Sequence, residues 1–412
     1  MKPTSDASFL VENLPASSRS LRVACVTETY PPEVNGVAIT LARIVAGLHQ
    51  RHHDVQLIRP RRDALDVAGG TMRFNEVLMR GMPIPNYPDL KMGMPAKPAL
   101  IRLWTLQRPD VVHIATEGPL GWSALQAAIK LRLPVTSDFR TNFHAYSKHY
   151  GAGWLRRPIV AYLRKFHNRT HFTMVPTEAL KRELAAEGFQ RLSVVARGVD
   201  TSRFSPARRD AALRESWGVQ ADDLVMLYVG RLAAEKNLQT LVTAYAAVRA
   251  IDARAKLVVV GDGPMRKTLE ERCPGAVFAG QRRDDDLLVH YASADLFVFP
   301  SLTETFGNST IEAMASGLPV VAFDHAAASQ LIEPGVHGLL APYADDAAFV
   351  EHVRALAADA ALRRAMSVQA RARVMGLDWR EVVGQFESML VQAVRQVQIE
   401  GVSGALPLRA TV

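Results

Sequence analysis

The feature of this sequence that most constrains its fold is an alternation of short apolar, β-branched runs with amphipathic helical segments. The first unit has an apolar run at Leu21–Thr27, a loop, and a helical pattern over Ile39–Arg51. Later apolar runs lie at Val55–Arg59, Val111–Ile114, Val135–Ser137, Thr173–Val175 and Ser193–Ala196. Further helical patterns cover Trp122–Leu131 and Glu178–Glu187. Repeated strand–helix units predict a parallel sheet with helices on both faces.

A second alternating series follows the polar segment Thr201–Arg209, which has the composition of a linker. Its strands are predicted at Leu224–Val229, Lys256–Val260, Ala276–Phe278, Leu296–Phe299, Pro319–Phe323 and Gly338–Leu340. Because 412 residues exceed one ordinary core, we predict an α/β protein of two lobes that face across a cleft. The predicted parts are a flexible segment 1–20, a first lobe 21–204, a second lobe 205–375, and a region 376–412 whose helix packs back toward the first lobe before a tail.

Positive charge is concentrated in the first half of the chain. Residues 1–200 contain 27 Lys and Arg against 16 Asp and Glu, whereas the remainder contains 22 against 25. This asymmetry suits lipid headgroups, nucleic acid or a phosphorylated acceptor, although a solvated basic surface is equally compatible with it. The stretch Trp154–Phe172 interleaves apolar and basic residues, as either an interfacial helix or a core helix with a solvated face would.

Two cysteines, Cys25 and Cys273, lie far apart and have no metal-ligand or redox spacing, which favours a reducing compartment. The first 20 residues lack a continuous apolar region, and no apolar run in the chain is long enough to span a bilayer. We therefore expect a cytoplasmic protein.

The first group of residues suited to chemistry follows the strand predicted to end at Val229. Gly230 is followed by Arg231 and, five residues later, by Lys236. Ligands of open α/β sheets bind at the carboxyl ends of the strands. Two cations at that edge can neutralise the diphosphate of a leaving nucleotide, which favours a binding role over a pair of surface charges.

The second group is Ser301–Ala315, which is predicted to be a tight turn leading into a helix. Gly307 allows the backbone to approach a ligand closely, and Asn308, Ser309 or Thr310 is predicted to cap the helix. The free N–H groups and the dipole of a helix start attract phosphate. The turn is therefore a predicted anion site.

Two carboxylates flank this turn, Glu304 before the helix and Glu312 inside it. They can bind different parts of one ligand, for example by accepting hydrogen bonds from ribose hydroxyls. A third loop contains Gly261 and Gly263 but has Arg266 where a dinucleotide motif requires glycine. With no complete G-x-G-x-x-G after any predicted strand, an NAD-dependent oxidoreductase is not expected.

Together these motifs resemble glycosyltransferase family four, and the resemblance spans about residues 21–395. Its most specific element is an E-x7-E motif, here Glu304 to Glu312. The resemblance implies the GT-B fold, in which two Rossmann-like lobes face across a cleft. The first lobe would bind the acceptor and the second the nucleotide sugar. It also implies retaining chemistry, in which the leaving phosphate assists attack on its own face and no protein nucleophile is needed.

The resemblance assigns roles to individual residues. Glu304 would contact the donor sugar, Glu312 the ribose, and Arg231 and Lys236 the diphosphate. The full set of predicted donor-binding residues is Glu33, Gly36, Gly230, Gly263, Phe306, Gly307, Asn308, Ser309 and Glu312.

One departure from the family concerns the segment Asp138–His144. Many members carry a histidine before the threonine in this segment, whereas this chain has Arg140. Either Arg140 contacts the donor sugar or the acceptor, or His144 replaces the histidine from the next turn. Both are predicted catalytic residues, together with Arg231, Lys236 and Glu304.

The expected function is therefore transfer of a mannose- or glucose-type hexose from a GDP or UDP sugar to an acceptor, with a membrane glycolipid or polysaccharide precursor favoured. An epimerase, a phosphorylase or a nucleotide-sugar hydrolase on the same scaffold is the alternative, followed by a nonenzymatic nucleotide-binding protein. We expect no essential metal because metal-ligand spacings are missing, and no nucleic-acid partner. Contact with the inner face of an anionic membrane is expected through the basic first lobe.

Overall fold

The computed structural model describes residues 20–33, 35–63, 65–68, 74–84, 87–140 and 156–403. The segment predicted to be flexible, 1–20, lies almost entirely outside the described residues, as does the tail from 404 to 412.

The first lobe is built on a parallel sheet whose order, in the described part of the chain, is β3-β2-β1-β6-β7-β8-β9. A separate antiparallel hairpin is formed by β4 and β5. The strands are β1 Arg22–Val26, β2 Asp54–Pro60, β3 Asn75–Met79, β4 Gly81–Ile84, β5 Tyr87–Gly93, β6 Val111–Ile114, β7 Val135–Asp138, β8 Phe172–Val175 and β9 Leu192–Val194. The helices of this lobe are α1 Gly36–Gln50, α2 Lys97–Leu106, α3 Pro119–Lys130, α4 Arg156–His167 and α5 Glu178–Ala186.

The second lobe has a parallel sheet of order β12-β11-β10-β13-β14-β15. Its strands are β10 Val225–Val229, β11 Lys256–Val260, β12 Val277–Gly280, β13 Leu296–Phe299, β14 Val320–Phe323 and β15 Gly338–Ala341. The helices that follow the linker are α6 Ala211–Ser216, α7 Leu238–Ile251, α8 Arg266–Arg272, α9 Asp284–Ala292, α10 Asn308–Ala315, α11 Ala326–Leu331, α12 Asp346–Ala358, α13 Ala360–Val374 and α14 Trp379–Ser403.

The strand–helix alternation is confirmed, because every strand predicted from an apolar run is present within a few residues of its predicted bounds. The sequence reading missed β3, the β4–β5 hairpin and α2. Pro83 and Pro88 lie inside the hairpin strands, and proline within an apolar run is a signal for a loop. Short strands of this kind are stabilised by pairing with their partner strand, so a local sequence pattern does not predict them.

The last helix, α14, returns to the first lobe and completes its core. Phe386 and Val383 are buried against α1 and β6, and the Phe386 ring meets His113 edge-on at 4.7 Å between ring centroids. Glu387 accepts hydrogen bonds from Arg51 at 2.8 Å and pairs with His53 at 3.0 Å. The second lobe is therefore entered and left by chain segments that both lie against the first lobe.

The two segments that connect the lobes, the linker near Gly198 and the start of α14, contact each other. The amide of Val199 donates to the carbonyl of Leu377 at 2.9 Å. A Cβ on Gly198 would lie 3.1 Å from the Trp379 backbone, so this position has little room for a side chain. Both connections between the two lobes therefore pass through the place where the linker and α14 meet.

Candidate active site

The predicted phosphate-binding residues lie at the point where the order of the second sheet reverses. Strands β10 and β13 are neighbours, but the chain continues outward from them in opposite directions. The loops that follow such a pair diverge and leave a crevice, which is where open α/β sheets bind ligands. Arg231 and Lys236 follow β10, and Glu304 and Gly307 follow β13.

An ion pair joins the two loops across this crevice. Nζ of Lys236 donates to Oε1 of Glu304, and the Ser301 hydroxyl donates to the same oxygen at 2.7 Å. Burial acts to raise the pKa of Glu304, but the Lys236 charge and the hydrogen bonds outweigh it and hold the pKa below its ordinary value. Glu304 is therefore an ionised acceptor that fixes the Lys236 ammonium.

Arg231 lies closer to the surface of the crevice. Its guanidinium pairs with the fully buried Glu235, while 39% of the Arg231 side chain stays exposed. A Cβ on Gly230 would lie 2.9 Å from the Tyr228 hydroxyl oxygen, which donates to the Arg231 carbonyl at 3.2 Å. The structure thus gives Gly230 a packing role, and a direct role in donor binding stays a prediction.

The helix start at α10 has no side-chain cap, contrary to the prediction that Asn308, Ser309 or Thr310 would supply one. The N-cap residue is Gly307, whose φ of 94° is in the left-handed region that favours glycine. The chain therefore enters the helix so tightly that Asn308 and Ser309 are already helical. Because no side chain covers the first N–H groups, they stay available to an anion.

Phe306 anchors the turn that precedes this helix. It is buried, and its carbonyl accepts from the Ala327 amide at 2.7 Å. The Glu304 carbonyl lies 3.0 Å from Nε2 of His325, in the loop after β14. The turn is therefore held from the neighbouring strand, which fixes where its amides point.

Glu312 lies deeper in α10 and has a different environment. The Tyr291 hydroxyl, from α9, donates to its Oε2 at 2.9 Å. Burial raises the pKa of Glu312 to about 7, against the opposing effect of the Tyr291 hydrogen bond. The second oxygen has capacity to accept from a ligand hydroxyl, which would favour the ionised form.

The first lobe approaches this helix start through the loop after β1. A Cβ on Gly36 would lie 3.6 Å from Nδ2 of Asn308. Gly36 is the first residue of α1, whose cap is Asn35, so two helix N-termini face each other across the cleft. Glu33 accepts a hydrogen bond from the Thr29 hydroxyl, and burial raises the pKa of Glu33. Two opposed helix dipoles are a favourable setting for a diphosphate.

Gly263 has a packing explanation. Its φ of 153° and the proximity of the Leu232 carbonyl leave no space for a Cβ. The Leu232 carbonyl also accepts from the Met265 amide at 2.9 Å, so the loops after β10 and β11 pack directly together. Gly263 supports the loop that carries Arg231, and contact with a donor stays a prediction.

The predicted first-lobe residues are only partly described. Arg140 is buried and forms an ion pair with Asp138, the last residue of β7. His113 contributes Nε2 at 3.4 Å from the same carboxylate. His144 falls in 141–155, outside the described residues.

Sequence reasoning missed the residues that support this site, namely Tyr291, Ser301, His325, Asp138 and Arg197. Tyr291, His325, Asp138 and Arg197 act on residues of other elements, and Ser301 reaches Glu304 by a turn whose geometry the residue types do not specify. Within the described ranges, no three metal-ligating side chains come together, and no helix is both long and apolar enough to cross a membrane.

Two parallel α/β lobes with a ligand crevice between them define the GT-B class of glycosyltransferases, which confirms the predicted fold. Residues 34–203 match the family described as Glycosyltransferase Family 4, and residues 223–359 match Glycosyl transferases group 1. The chain belongs to glycosyltransferase family 4. It is a hexosyltransferase that uses a nucleotide sugar, and the epimerase, phosphorylase or hydrolase alternative is not favoured.

Relatives of similar length support this assignment. A GDP-mannose-dependent alpha-mannosyltransferase of Mycolicibacterium smegmatis is 35% identical over 379 residues, covering 90% of this chain and 98% of the relative. A protein of the same description from Corynebacterium glutamicum is 34% identical, covering 79% of this chain and 78% of the relative. Among solved structures, sucrose-phosphate synthase from Thermosynechococcus elongatus has a TM-score of 0.75 at 20% identity, covering 92% of this chain and 100% of the other.

The contrast between the two glutamates predicts opposite pH effects on stability. The raised pKa of Glu312 means that its contribution is fully present below about pH 4.5 and is lost as the pH rises through about 7. Replacing Glu312 by Gln should therefore stabilise the ligand-free protein relative to wild type at pH 8, by on the order of 2 kcal/mol, with little effect at pH 4.5.

Glu304→Gln is the matched control for this measurement. The lowered pKa of Glu304 means that its contribution is present above about pH 4.5 and is lost as the pH falls. Glu304→Gln should therefore lower stability at neutral pH. Urea unfolding from pH 3 to 8 measures both variants. Parallel pH profiles for the two would contradict the assigned environments.

Proposed function

We propose that the protein transfers mannose from GDP-mannose to a glycolipid or glycan acceptor with retention of anomeric configuration. The observation that carries the proposal is the pair of opposed helix starts at Gly36 and Asn308, next to the Lys236–Glu304 pair. The choice of GDP-mannose is supported by relatives 34–35% identical that are described as GDP-mannose-dependent. UDP-hexose is the second candidate, because a structural neighbour, HepE of Anabaena, is described in complex with UDP and glucose.

The proposed reaction develops negative charge on the departing diphosphate. Lys236 and Arg231 lie at one side of the crevice with the uncapped amides of α10 beside them. Donors and cations already fixed before the reaction stabilise that charge without reorganisation. Glu304 orients Lys236 and presents its remaining oxygen to the donor sugar, and Glu312 accepts from the ribose.

The proposed acceptor hydroxyl attacks the anomeric carbon from the face that the diphosphate leaves, and its proton passes to the departing phosphate. The C1–O bond to the nucleotide breaks and a new C1–O bond forms, so the products are a glycoside and a nucleoside diphosphate. Arg140 is proposed to act on the first-lobe side of the sugar. No metal is included in the proposal, because the cations named above and the helix starts supply the positive charge.

The acceptor is proposed to be reached at a membrane surface. On α4, Arg157, Arg164 and Lys165 are exposed, and Tyr162 between them is 42% exposed. Basic side chains flanking an aromatic residue suit an anionic interface. An alpha-monoglucosyldiacylglycerol synthase of Streptococcus pneumoniae is also a relative, at 26% identity. Peripheral attachment on the cytoplasmic face is the localisation that this proposal implies.

Thermal stabilisation by nucleotides is the first test. A ligand that binds only the folded state raises the melting temperature, so GDP should raise it more than UDP, ADP or NAD. Glu312→Ala should abolish the effect, whereas Glu271→Ala, an exposed glutamate on α8, should not. A response to NAD alone, or to none of the four, would overturn the donor assignment.

Lys236→Ala should lower turnover about 100-fold or more at saturating donor, since it removes a preorganised charge from the leaving group. Lys267→Ala removes an exposed lysine from the same lobe and should leave turnover unchanged. Initial rates with GDP-mannose measure both. Full turnover in Lys236→Ala would show that the leaving group is stabilised elsewhere.

Co-sedimentation with liposomes tests the membrane contact. The protein should bind vesicles containing anionic lipid at low salt and be released at high salt, because salt screens the attraction. Arg157→Glu/Lys165→Glu should lose binding, and Lys267→Glu/Arg364→Glu, which changes two exposed cations of the second lobe, should retain it. Equal binding by both double variants would exclude α4 as the contact.

A further inference from the structure

A buried charged cluster in the first lobe has more positive than negative charge. It consists of Asp138 at the end of β7, Arg140 two residues later, Arg197 after β9, and His113 on β6. Burial acts to raise the pKa of Asp138, yet the neighbouring cations hold it below its ordinary range. One carboxylate therefore faces two guanidinium groups.

The charges of the two arginines are poorly compensated. Arg140 is ion-paired with Asp138, but its Nε, Nη1 and Nη2 are buried without a hydrogen bond of acceptable geometry. Arg197 is 7% exposed and has no ion pair or hydrogen bond among the described residues. The next carboxylate along the chain, Asp200, instead lies 3.7 Å from Arg43. Burial and repulsion by Arg140 lower the pKa of Arg197 to about 9.

The cluster lies at one edge of the first sheet. All strands of the first sheet are parallel, so Asp138 and Arg197 lie at the same edge as the loop that carries Glu33 and Gly36. That edge faces the cleft. Arg197 is 7% exposed and directly precedes Gly198. A buried guanidinium without an ion pair or hydrogen bond is costly unless a ligand compensates it.

We propose that Arg140 and Arg197 form a binding site for an anionic group, a carboxylate or a phosphate, carried by the acceptor. Guanidinium groups match both anions in bidentate geometry. The donor diphosphate has its own cations, Arg231 and Lys236, in the other lobe. Assignment of the anion to the acceptor rests on the proposed function, whereas the anion site itself does not.

The test compares Arg197→Met with Arg43→Met, which removes an arginine of the same lobe that already has a carboxylate partner. Melting temperatures are measured with saturating GDP, so that the diphosphate site is occupied, while inorganic phosphate or glucuronate is added at constant ionic strength. Glucose is the neutral control for glucuronate. Wild type and Arg43→Met should gain about 2–5 °C from an anion, and Arg197→Met should gain none. Arg197→Lys should recover part of the gain.

A second readout separates a binding site from a structural one. Removing an uncompensated buried charge should leave the ligand-free melting temperature of Arg197→Met equal to or above that of wild type. A large fall in that temperature, or an undiminished response to anions, would overturn the proposal. Response to phosphate alone or to glucuronate alone identifies the anion. An Arg197-dependent response to anions without any response to nucleotide would support the site while overturning the donor assignment.

For the acceptor, octyl glucoside and octyl glucuronide differ only in the carboxylate. Arg197→Met should raise KM for the glucuronide about tenfold or more and leave KM for the glucoside unchanged. Equal changes for both acceptors would remove the acceptor from the proposal.

Discussion

The Lys236–Glu304 ion pair bridges the point where the strand order of the second sheet reverses, and the rest of the site depends on that bridge. β10 and β13 are neighbours in the sheet, but the loops that follow them turn away from each other. A contact between the two loops is therefore needed to hold them at a fixed separation. A partly buried ion pair with an additional hydroxyl donor from Ser301 does so. Its geometry fixes the ammonium beside the open start of α10, and this start in turn faces α1 across the cleft.

Two glutamates, one just before α10 and one inside it, are in opposite electrostatic states. Glu304, just before α10, has a cation for a partner and a lowered pKa, whereas Glu312 has a neutral hydroxyl for a partner and a raised one. The first is organised before any ligand arrives. The second stays partly protonated at neutral pH until a ligand supplies hydrogen bonds, so part of the binding free energy goes into completing its ionisation.

The features that could be predicted from the sequence are those encoded by neighbouring residues. Apolar runs at Val111–Ile114, Lys256–Val260 and Leu296–Phe299 located strands at their observed bounds, and the E-x7-E motif begins in the loop after β13, where the strand order of the second sheet reverses. Features made by distant segments were missed. Tyr291 reaches Glu312 from α9, and Arg197 acts electrostatically on Asp138 from a strand two positions away in the sheet, so no local spacing could indicate either interaction. The prediction of a side-chain cap on α10 was wrong because Gly307, in a left-handed conformation, is the N-cap residue and has no side chain to donate or accept a hydrogen bond.

The return of α14 to the first lobe has a consequence for biosynthesis. Val383, Phe386 and Leu390 belong to the same buried cluster as β1 and α1, so residues near opposite ends of the chain share one core. A ribosome emits the sheet of the first lobe long before it emits those side chains. Until then an apolar surface of that lobe is uncovered, and transiently exposed surfaces of this kind promote association between chains. Completion of the nascent first lobe must therefore wait for synthesis of the second.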